Sequence, residues 1–457
     1  MITSITLGAL HLAAGGELLA AGDATLEVSG AAVDHRKVKS GDLFVALVGE
    51  RVDGHDFALH AIDAGAVAVM TTRRLDLDVP QLIVKNPFDG LAALARMARA
   101  AFNGTVIGIT GSAGKTTAKN MLAAVLCEVG DTVATVGNQN NELGLPLTLL
   151  GVTPTTEFLV LEMGAGKPGD IRYLMDIAKP QIVVLLNAAP AHLSNYKNVD
   201  EIAQTKGEIL DNLPADGIAV INAEQPWTGQ WRVRAAPARV TTIGFDEGCD
   251  ISALDVCYRG FQGATFKACC DALSYPVRLN VPGKGGVFNA LSAIAVAHSL
   301  GISAATITRG LSQVSPAAGR GQIHQSASGA RIIDDSYNAN PLAVCAAIDT
   351  LASESGVRTL VLGSMLELGT ESTQLHAMVG AHARKAGIEK LVAIGDATVA
   401  AATAFGDAAA VVVDRNAAIA ALEGLTVDDV VLIKGSRGVG LEVVVNALLE
   451  QQERAAC

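Results

Sequence analysis

The segment from Thr105 to Thr117 constrains the fold of this chain more than any other, because it combines an apolar strand, a glycine-containing loop and a helix start. Gly111 and Gly114 lie in the loop, and Lys115-Thr116 opens the helical segment. In such an arrangement the helix-start amides can bind phosphate oxygens, the lysine can neutralise phosphate charge, and the threonine hydroxyl can bind Mg²⁺. Ile109 stands where the strict pattern has glycine, so the loop is a variant. A glycine turn that happens to precede Lys-Thr is the alternative. The pattern predicts a bound nucleotide but no particular reaction.

Length and composition predict a globular protein of several domains. At roughly 150 residues per domain, 457 residues correspond to about three domains. Hydrophobic residues make up 50% of the chain and charged residues 18%, which is too little charge for a disordered chain. The formal net charge of −12 argues against a general nucleic-acid or membrane-surface binder. An anionic ligand therefore needs a specific local site.

Alternating strand and helix patterns predict an α/β fold with three domains. Residues 1–85 form a small α/β domain, with strand-like runs at 24–33, 42–48 and 81–85 and a helix at 55–64. Residues 86–314 form a central domain with a mainly parallel sheet, which begins with a connecting helix at 88–102. Its further strands are expected at 158–163, 181–187 and 217–222, followed by a β-rich stretch at 240–282 and helical segments at 287–300 and 302–311.

The last region repeats a strand–helix rhythm after Ser315-Pro316. Residues 315–457 are predicted to form a Rossmann-like, doubly wound domain. Its strands are expected at 331–335, 359–363, 390–394, 410–413 and 430–434.

Cysteine usage and the apolar runs predict a cytoplasmic protein. The seven cysteines show no CxxC spacing, and no cationic leader precedes them, as expected for a chain that stays reduced. The longest apolar runs have the length of strands, below the ~18 residues that span a bilayer, so no membrane segment is expected.

Three polar residues outside the loop are candidates for chemistry. Glu162 ends an apolar strand, where its carboxylate can reach a metal over the phosphate loop or, alternatively, cap a neighbouring loop. His192 lies in a loop, where a lone histidine is more often exposed or hydrogen-bonded than a ligand. Lys206 lies in a polar helical segment and is on composition alone a surface lysine.

Motifs along most of the chain resemble the Mur ligases of peptidoglycan synthesis. They occur in family order and are far more specific together than the phosphate loop alone. The motifs are Ser40-Gly-Asp-Leu-Phe-Val-Ala-Leu47, Asp53-Gly-His55, Thr110-Gly-Ser-Ala-Gly-Lys-Thr116, Asn138-Gln-Asn-Asn141, Glu162-Met-Gly-Ala165, Pro190-Ala-His192, Lys206-Gly-Glu208, Gly319-Arg320, Asp334-Asp-Ser-Tyr-Asn-Ala-Asn-Pro341, Met365-Leu-Glu-Leu-Gly369 and Lys434-Gly-Ser-Arg437.

The resemblance implies a UDP-substrate domain, a central P-loop-type ATPase domain and a C-terminal ligase domain. The motifs are most similar to those of the family members that join D-alanyl-D-alanine to UDP-N-acetylmuramoyl-tripeptide. ATP would phosphorylate the terminal carboxylate of the tripeptide, and the dipeptide amine would attack the acyl phosphate. The implied enzyme is a cytoplasmic monomer of cell-wall synthesis, with ATP and two Mg²⁺ ions as cofactors and no nucleic-acid or membrane partner.

Site residues follow from the resemblance by motif. Lys115, Glu162, His192 and Lys206 are implied to be catalytic, and Thr116, Glu162, His192 and Lys206 as a carbamate are implied metal ligands. The implied ATP-binding residues are Gly111, Ser112, Ala113, Gly114, Lys115, Thr116, Thr117, Asn289, Arg320 and Asp335. The implied substrate-binding residues are Asp34, Arg36, Asn138, Asn140, Asn141 and Asn338.

The chain departs from the family pattern at positions expected to touch the nucleotides. His35 replaces the usual serine between Asp34 and Arg36, Gly285 and Gly286 remove side chains expected near adenine, and Ser364 replaces an aspartate. Gly-Val-Gly-Leu follows Arg437 in place of a Met-rich continuation. We expect the chemistry to survive with altered nucleotide contacts.

Three other functions stay open at this level. The Mur ligases that add the third amino acid normally carry an Asp-Asn-Pro-Arg motif, which this chain lacks. Folylpolyglutamate-type ligases share the middle fold but not the first domain. A phosphate-loop switch or motor would hydrolyse nucleotide without a carboxylate acceptor, and it would need neither Lys206 nor the first domain.

Overall fold

The computed structural model describes residues 3–19, 24–49, 51–190, 193–271 and 273–455. Within these ranges, no helix has both the length and the apolar character needed to cross a bilayer. Short 3₁₀ helices lie at His35–Lys37, Gly54–Phe57, Leu193–Asn195, Gly207–Leu210, Gly369–Glu371, Asp396–Thr398 and Arg437–Val439.

The first region is a small α/β unit whose sheet has the strand order β2-β7-β6-β5-β4, with β1 and β3 paired separately. Its strands are β1 (Ile5–Thr6), β2 (Glu17–Leu19), β3 (Glu27–Val28), β4 (Gly30–Ala32), β5 (Asp42–Val45), β6 (Ala68–Thr71) and β7 (Gln81–Ile83). Its helices are α1 (Leu7–Ala14), α2 (Ala58–Asp63) and α3 (Pro87–Ala101).

The strand predicted at 24–33 is two strands in different sheets. β3 pairs with β1 in antiparallel orientation, whereas β4 pairs with β5 in parallel. Gly30 is the first residue of β4, and a Cβ there would lie 2.1 Å from Oδ1 of Asp42, so the site has room only for glycine. The helix predicted at 55–64 begins as a 3₁₀ turn and becomes α-helical only over α2.

The connecting helix predicted at 88–102 is present as α3. Asn86 caps it by accepting a hydrogen bond from the Phe88 amide at 3.0 Å, and Pro87 occupies the first turn, where its missing N–H costs nothing. Leu91 and Leu94 are fully buried in a core that also contains residues of the central sheet. This helix therefore attaches the first region to the second.

The central region is built on a sheet of order β16-β15-β14-β13-β12-β11-β8-β10-β9, parallel from β9 to β14 and antiparallel at its other end. Its strands are β8 (Thr105–Thr110), β9 (Thr132–Ala134), β10 (Phe158–Glu162), β11 (Ile182–Leu185), β12 (Ile218–Asn222), β13 (Arg239–Gly244), β14 (Ile251–Tyr258), β15 (Ala264–Cys270) and β16 (Leu273–Leu279). Its helices are α4 (Lys115–Leu126), α5 (Gly144–Leu150), α6 (Asp170–Ala178), α7 (Val199–Lys206), α8 (Thr228–Ala235), α9 (Gly283–Ser299) and α10 (Ala304–Ser312).

Both faces of the central sheet are buried. Successive residues of β8 point to opposite faces, so Val106 joins the core shared with α3, and Ile107 joins the core formed with α4 and α9. A parallel sheet covered on both sides explains why its strands read as continuous apolar runs.

The last region has a sheet of order β17-β18-β22-β19-β20-β21, in which β17 is an antiparallel edge strand and the others are parallel. Its strands are β17 (Gln322–Gln325), β18 (Arg331–Asp335), β19 (Val357–Gly363), β20 (Lys390–Ile394), β21 (Ala409–Val412) and β22 (Asp429–Lys434). Its helices are α11 (Pro341–Ala352), α12 (Ser372–Lys385), α13 (Val399–Phe405), α14 (Arg415–Ala421) and α15 (Glu442–Ala455).

Apolar cores on the two faces of this sheet confirm the predicted doubly wound architecture. Leu360 and Leu362 of β19 join one core, and Val361 between them joins the other. The carboxyl ends of β8, β10 and β18 contribute residues to one cleft, which is the usual place for ligands in open α/β sheets.

Candidate functional site

The phosphate loop has the backbone conformation that its sequence requires. Gly114 has a φ of 85°, and a Cβ there would lie 2.6 Å from Oδ1 of Asn289, so glycine is needed both for conformation and for space. Asn187, two residues after β11, holds the loop through its side-chain amide. Its Oδ1 accepts from the Ala113 amide at 2.9 Å, and its Nδ2 donates to the Ala113 carbonyl at 3.1 Å. The hydroxyl of the neighbouring Ser112 donates a hydrogen bond to the Ala189 carbonyl and accepts one from the Ala189 amide.

Lys115 is half-buried at the start of α4, beside the loop. Its ammonium donates to the carbonyl of Gly111 at 2.8 Å. Burial lowers the pKa of Lys115, with the Glu162 carboxylate acting in the opposite direction. The amides of the first helical turn, which includes Thr116 and Thr117, are those that a helix leaves without intrahelical acceptors. A cation and several amide donors therefore converge on one place, which suits a phosphate chain.

Glu162 lies at the end of β10 and is 2% exposed. Its Oε2 accepts from the Thr116 hydroxyl at 2.8 Å, and its Oε1 accepts from Nδ2 of Asn140 at 2.8 Å. Carboxylate and hydroxyl oxygens are hard donors, so this pair fits a Mg²⁺ ion that keeps water and phosphate ligands. Within the described ranges, no cluster of three or more His, Cys, Asp or Glu side chains that could hold a metal ion is present. His192 lies outside the described residues.

Lys206 is a buried residue, not the surface lysine that its polar helix indicates. It is 3% exposed, and its Nζ donates to the carbonyl of Ala165 at 3.3 Å. Burial and, after it, the Lys115 charge lower its pKa to about 7, while the Asp170 and Glu208 carboxylates oppose that shift. A large fraction of Lys206 is therefore a neutral, nucleophilic amine near neutral pH.

The asparagines predicted to bind substrate occupy different places. Asn140 and Asn141 line the cleft. Asn141 also accepts from the Gly144 amide at 3.0 Å and so shapes the start of α5. Asn138 is exposed, its carbonyl accepts from the Asn140 amide at 2.8 Å, and it is not among the described residues that line the cleft.

The last region places an ion pair at the opposite wall. Lys434 is 3% exposed, and its Nζ lies 2.7 Å from Oδ2 of Asp335 and donates to the Asn338 carbonyl at 3.0 Å. Burial raises the pKa of Asp335, against the opposing effect of the Lys434 ammonium. Asp335 and Asn338 both line the cleft, as predicted for residues that face the nucleotide and the substrate.

Arg320 enters the cleft from the same wall and packs on an aromatic ring. Its guanidinium carbon lies 4.2 Å from the ring centre of Tyr337. The Tyr337 amide donates to the Gly319 carbonyl at 3.0 Å, and Gly319 has a φ of 69°. The motif Gly319-Arg320 thus sets the backbone on which the guanidinium and the ring meet.

Asp34 and Arg36 pair with each other, away from this cleft. Asp34 accepts from the Arg36 backbone amide at 3.1 Å and from its Nη2 at 2.7 Å, and the side-chain bonds hold the pKa of Asp34 well below its usual range. The ring of His35 stacks on Phe57 at 4.8 Å between centroids. None of these residues is among the described residues that line the cleft. The cleft therefore brings together the predicted ATP-binding residues but not Asp34 and Arg36.

The glycine substitutions at the start of α9 lie beside an aromatic wall. A Cβ at Gly286 would come within 2.9 Å of the Val281 carbonyl, whereas Gly285 faces open space. Lys284 pairs with Glu224 at 2.8 Å and lies 4.9 Å from the ring centre of Phe245. The third departure, Ser364, accepts through its carbonyl from the Ser436 amide at 3.1 Å and so joins two loops of the last region.

One cleft of about 1240 Å³ contains most of the predicted ATP-binding and metal-binding groups. Its lining comes from the connecting helix α3, the central region and the last region, and it includes Asp89, Lys115, Glu162, Lys206, Arg320 and Asp335. Sequence reasoning assigned no role to Asn187, Lys434 or Tyr337. Asn187 ends the predicted strand at 181–187, and Tyr337 and Lys434 lie in the motifs quoted above. The sequence thus marked these positions as notable but did not indicate what the side chains do.

Comparison with family models gives three matches along the chain. The model described as "Mur ligase family, catalytic domain" matches residues 27–100, "Mur ligase middle domain" matches residues 109–297, and "Mur ligase, glutamate ligase domain" matches residues 319–437. The matches follow the order of the motifs.

Two curated relatives match over nearly the whole chain. The "UDP-N-acetylmuramoyl-tripeptide--D-alanyl-D-alanine ligase" of Escherichia coli (strain K12) is 38% identical over 461 residues, which covers 99% of this chain and 100% of that protein. The protein of the same name from Mycobacterium tuberculosis (strain ATCC 25618 / H37Rv) is 36% identical and covers 91% of each chain.

Solved structures of MurF proteins also match over nearly the whole chain. MurF from Acinetobacter baumannii superposes with a TM-score of 0.91 at 31% identity, covering 98% of this chain and 99% of that one. MurF ligase from Thermotoga maritima, solved in complex with ADP, has a TM-score of 0.83 at 30% identity and covers 93% and 98%.

Proposed function

The chain belongs to the Mur ligase family, and we propose that it is an ATP-dependent ligase that joins D-alanyl-D-alanine to UDP-N-acetylmuramoyl-tripeptide. ATP phosphorylates the terminal carboxylate of the tripeptide. The amine of the dipeptide then attacks the acyl phosphate, forming the amide bond and releasing phosphate. The product is a precursor for the cell wall, which connects the enzyme with cell shape and division.

The observation that carries this proposal is the convergence of cations and oxygen donors in one cleft. A carboxylate and the γ-phosphate are both negative, so their approach needs neutralisation that is already in place. Lys115 and the first-turn amides of α4 supply it from one wall, and Arg320 supplies it from the other. Asp335, held by Lys434, is assigned to the ATP ribose.

We assign two Mg²⁺ ions to the central wall of the cleft. Thr116 and Glu162 supply oxygen donors for one ion, and His192 with a carbamylated Lys206 would hold the second. When bound, these ions neutralise phosphate charge and polarise the transferred group. The low pKa of Lys206 supports the carbamate, because only the neutral amine reacts with CO₂.

We assign the UDP-substrate to residues 1–85, ATP to residues 86–314 and the closing ligase surface to residues 315–457. Each of the three large sheets lies within one of these ranges, which supports the division. Asp34 and Arg36 are assigned to the uridine, Asn140 and Asn141 to the peptide, and Asn338 to the dipeptide. Asn138 is assigned to the substrate as well, and its carbonyl accepts from the Asn140 amide. We also propose a cytoplasmic monomer.

Phosphate release tests the function. ATP is supplied with the UDP-tripeptide, with D-alanyl-D-alanine, with both, and with neither. Substantial release is expected only with both substrates. Equal release with neither would identify a nucleotide hydrolase, and release with the corresponding UDP-dipeptide plus a single amino acid would identify the ligase that adds the third residue.

A further inference from the structure

Lys119 is a buried cation of α4 to which the reaction as described assigns no role. It lies one helical turn after Lys115 on the same face of the helix and is 4% exposed. Its ammonium donates to a carbonyl, that of Thr135, and not to a carboxylate. Burying an ammonium with only a neutral partner costs stability, so a cation at this position needs a reason outside folding.

Thr135 connects Lys119 to Glu162. It follows β9 directly, it is 2% exposed, and its amide donates to the Val160 carbonyl at 3.0 Å. Its hydroxyl accepts from the backbone amide of Glu162 at 2.9 Å. The carbonyl of Thr135 is therefore held by the lysine, while its side chain holds the backbone of the carboxylate residue.

Charge links the same residues. The Glu162 carboxylate acts to raise the pKa of Lys119, and the Arg320 charge acts to lower it, although burial is the largest influence and lowers it. Lys119 is thus within electrostatic reach of both walls of the cleft. Its charge lies in α4 one helical turn after Lys115, where an anionic nucleotide complex would benefit from it.

We propose that Lys119 is a positioning residue for Glu162: it anchors Thr135, which fixes the end of β10, and its charge favours the anionic metal–nucleotide complex. This inference rests on the metal–nucleotide part of the proposed function. It assigns a functional reason to a lysine that the folded state alone does not favour. Partners that orient metal ligands typically change metal affinity or activity by about 10–100-fold when they are removed.

Direct binding of Mn²⁺·ADP tests the proposal without turnover. Lys119→Met removes the charge and the donor but keeps the apolar stem, and Lys119→Arg keeps both charge and donors. Titration calorimetry should show binding weakened by about 10-fold or more in the Met variant, with the Arg variant closer to the parent. The Tm of the ligand-free Met variant should not fall below that of the parent, because a costly buried charge has been removed.

Thr135→Val tests the route, because it removes the hydroxyl that accepts from Glu162 and leaves the carbonyl that accepts from Lys119. It should weaken Mn²⁺·ADP binding. If both residues act through one route, the double variant with Lys119→Met should lose less binding free energy than the sum of the losses in the two single variants. Fully additive effects would overturn the route through Thr135. Binding by Lys119→Met within about twofold of the parent, or weakened binding together with a large fall in Tm, would overturn the inference alone. A parent that fails to bind Mn²⁺·ADP would overturn the proposed function as well.

Discussion

Lys206 should react with CO₂ far more readily than an ordinary lysine. Its pKa is about 7 in place of 10.5, because the side chain is buried and lies near Lys115. At pH about 7, roughly half of the Lys206 amines are neutral, compared with about one in three thousand for an unperturbed lysine. The reactive form is therefore enriched by roughly a thousandfold. This enrichment is what carbamate formation requires.

The assay is ¹³C NMR of the metal-free protein under labelled CO₂. Dissolved CO₂ is held constant at pH about 7, where the neutral amine and CO₂ form the carbamate and release one proton to the buffer. A carbamate signal should appear in the parent and in Lys167→Arg, a matched variant at an exposed lysine of the same cleft, and should be absent from Lys206→Arg. A signal that persists in Lys206→Arg, or no carbamate signal in the parent at this pH, would refute the reasoning.

Stability gives an independent check with a defined sign. The unfolded chain binds a proton at Lys206 up to pH 10.5, whereas the folded chain releases it near pH 7. Without CO₂, the free energy of unfolding should therefore rise between these two pH values, by at most about 5 kcal/mol from this group. The difference between the parent and Lys206→Met isolates the effect, and equal pH profiles would contradict the low pKa.

Other predictions concern the loop, closure and a buried histidine. Lys115→Ala should abolish phosphate release while calorimetry shows unchanged UDP-tripeptide binding, and a comparable loss of that binding would contradict the domain assignment. An ATP analogue with UDP-tripeptide should lower the radius of gyration in small-angle scattering, since ligands in a cleft between two regions can draw its walls together, and an unchanged radius would argue against closure. His376 accepts from the Met365 amide at 3.0 Å and donates to the Ser372 carbonyl at 2.8 Å, and burial lowers its pKa. Its contribution is thus present above its ordinary pKa of 6.5 and is lost as pH falls, so urea unfolding of His376→Gln should differ from the parent more at pH about 7.5 than at about 5.5. An equal difference at both pH values would contradict this.

Local sequence signals predicted the elements that local forces determine. β18 and β20 have the predicted limits, 331–335 and 390–394, because each is a buried apolar run bounded by polar or turn residues. β9 and β17 were not predicted, since a short edge strand has little apolar character of its own. The run at 24–33 was predicted as one strand, whereas the structure divides it at Ser29. The residues before Ser29 pair with β1 and those after it pair with β5, and this choice of neighbouring strands is not visible in the local sequence.

The site shows the same division between local and long-range information. Lys115 and Glu162 could be predicted because a helix start and a strand end determine their positions. Lys206 could not be recognised as buried, because its helix is polar and its contact with the Ala165 carbonyl joins segments that are 41 residues apart in the sequence. The pairing of Lys434 with Asp335 likewise needs β18 and β22 to be neighbours, which only the sheet order reveals.

Isotope transfer tests the central claim most directly. The terminal carboxylate of the UDP-tripeptide is labelled with ¹⁸O, the ligation is run with ATP and D-alanyl-D-alanine, and the released phosphate is analysed by mass spectrometry. If the carboxylate attacks the γ-phosphate and the dipeptide amine then displaces phosphate, each phosphate carries one labelled oxygen from the carboxylate. Amide product accompanied by unlabelled phosphate would contradict the acyl-phosphate mechanism.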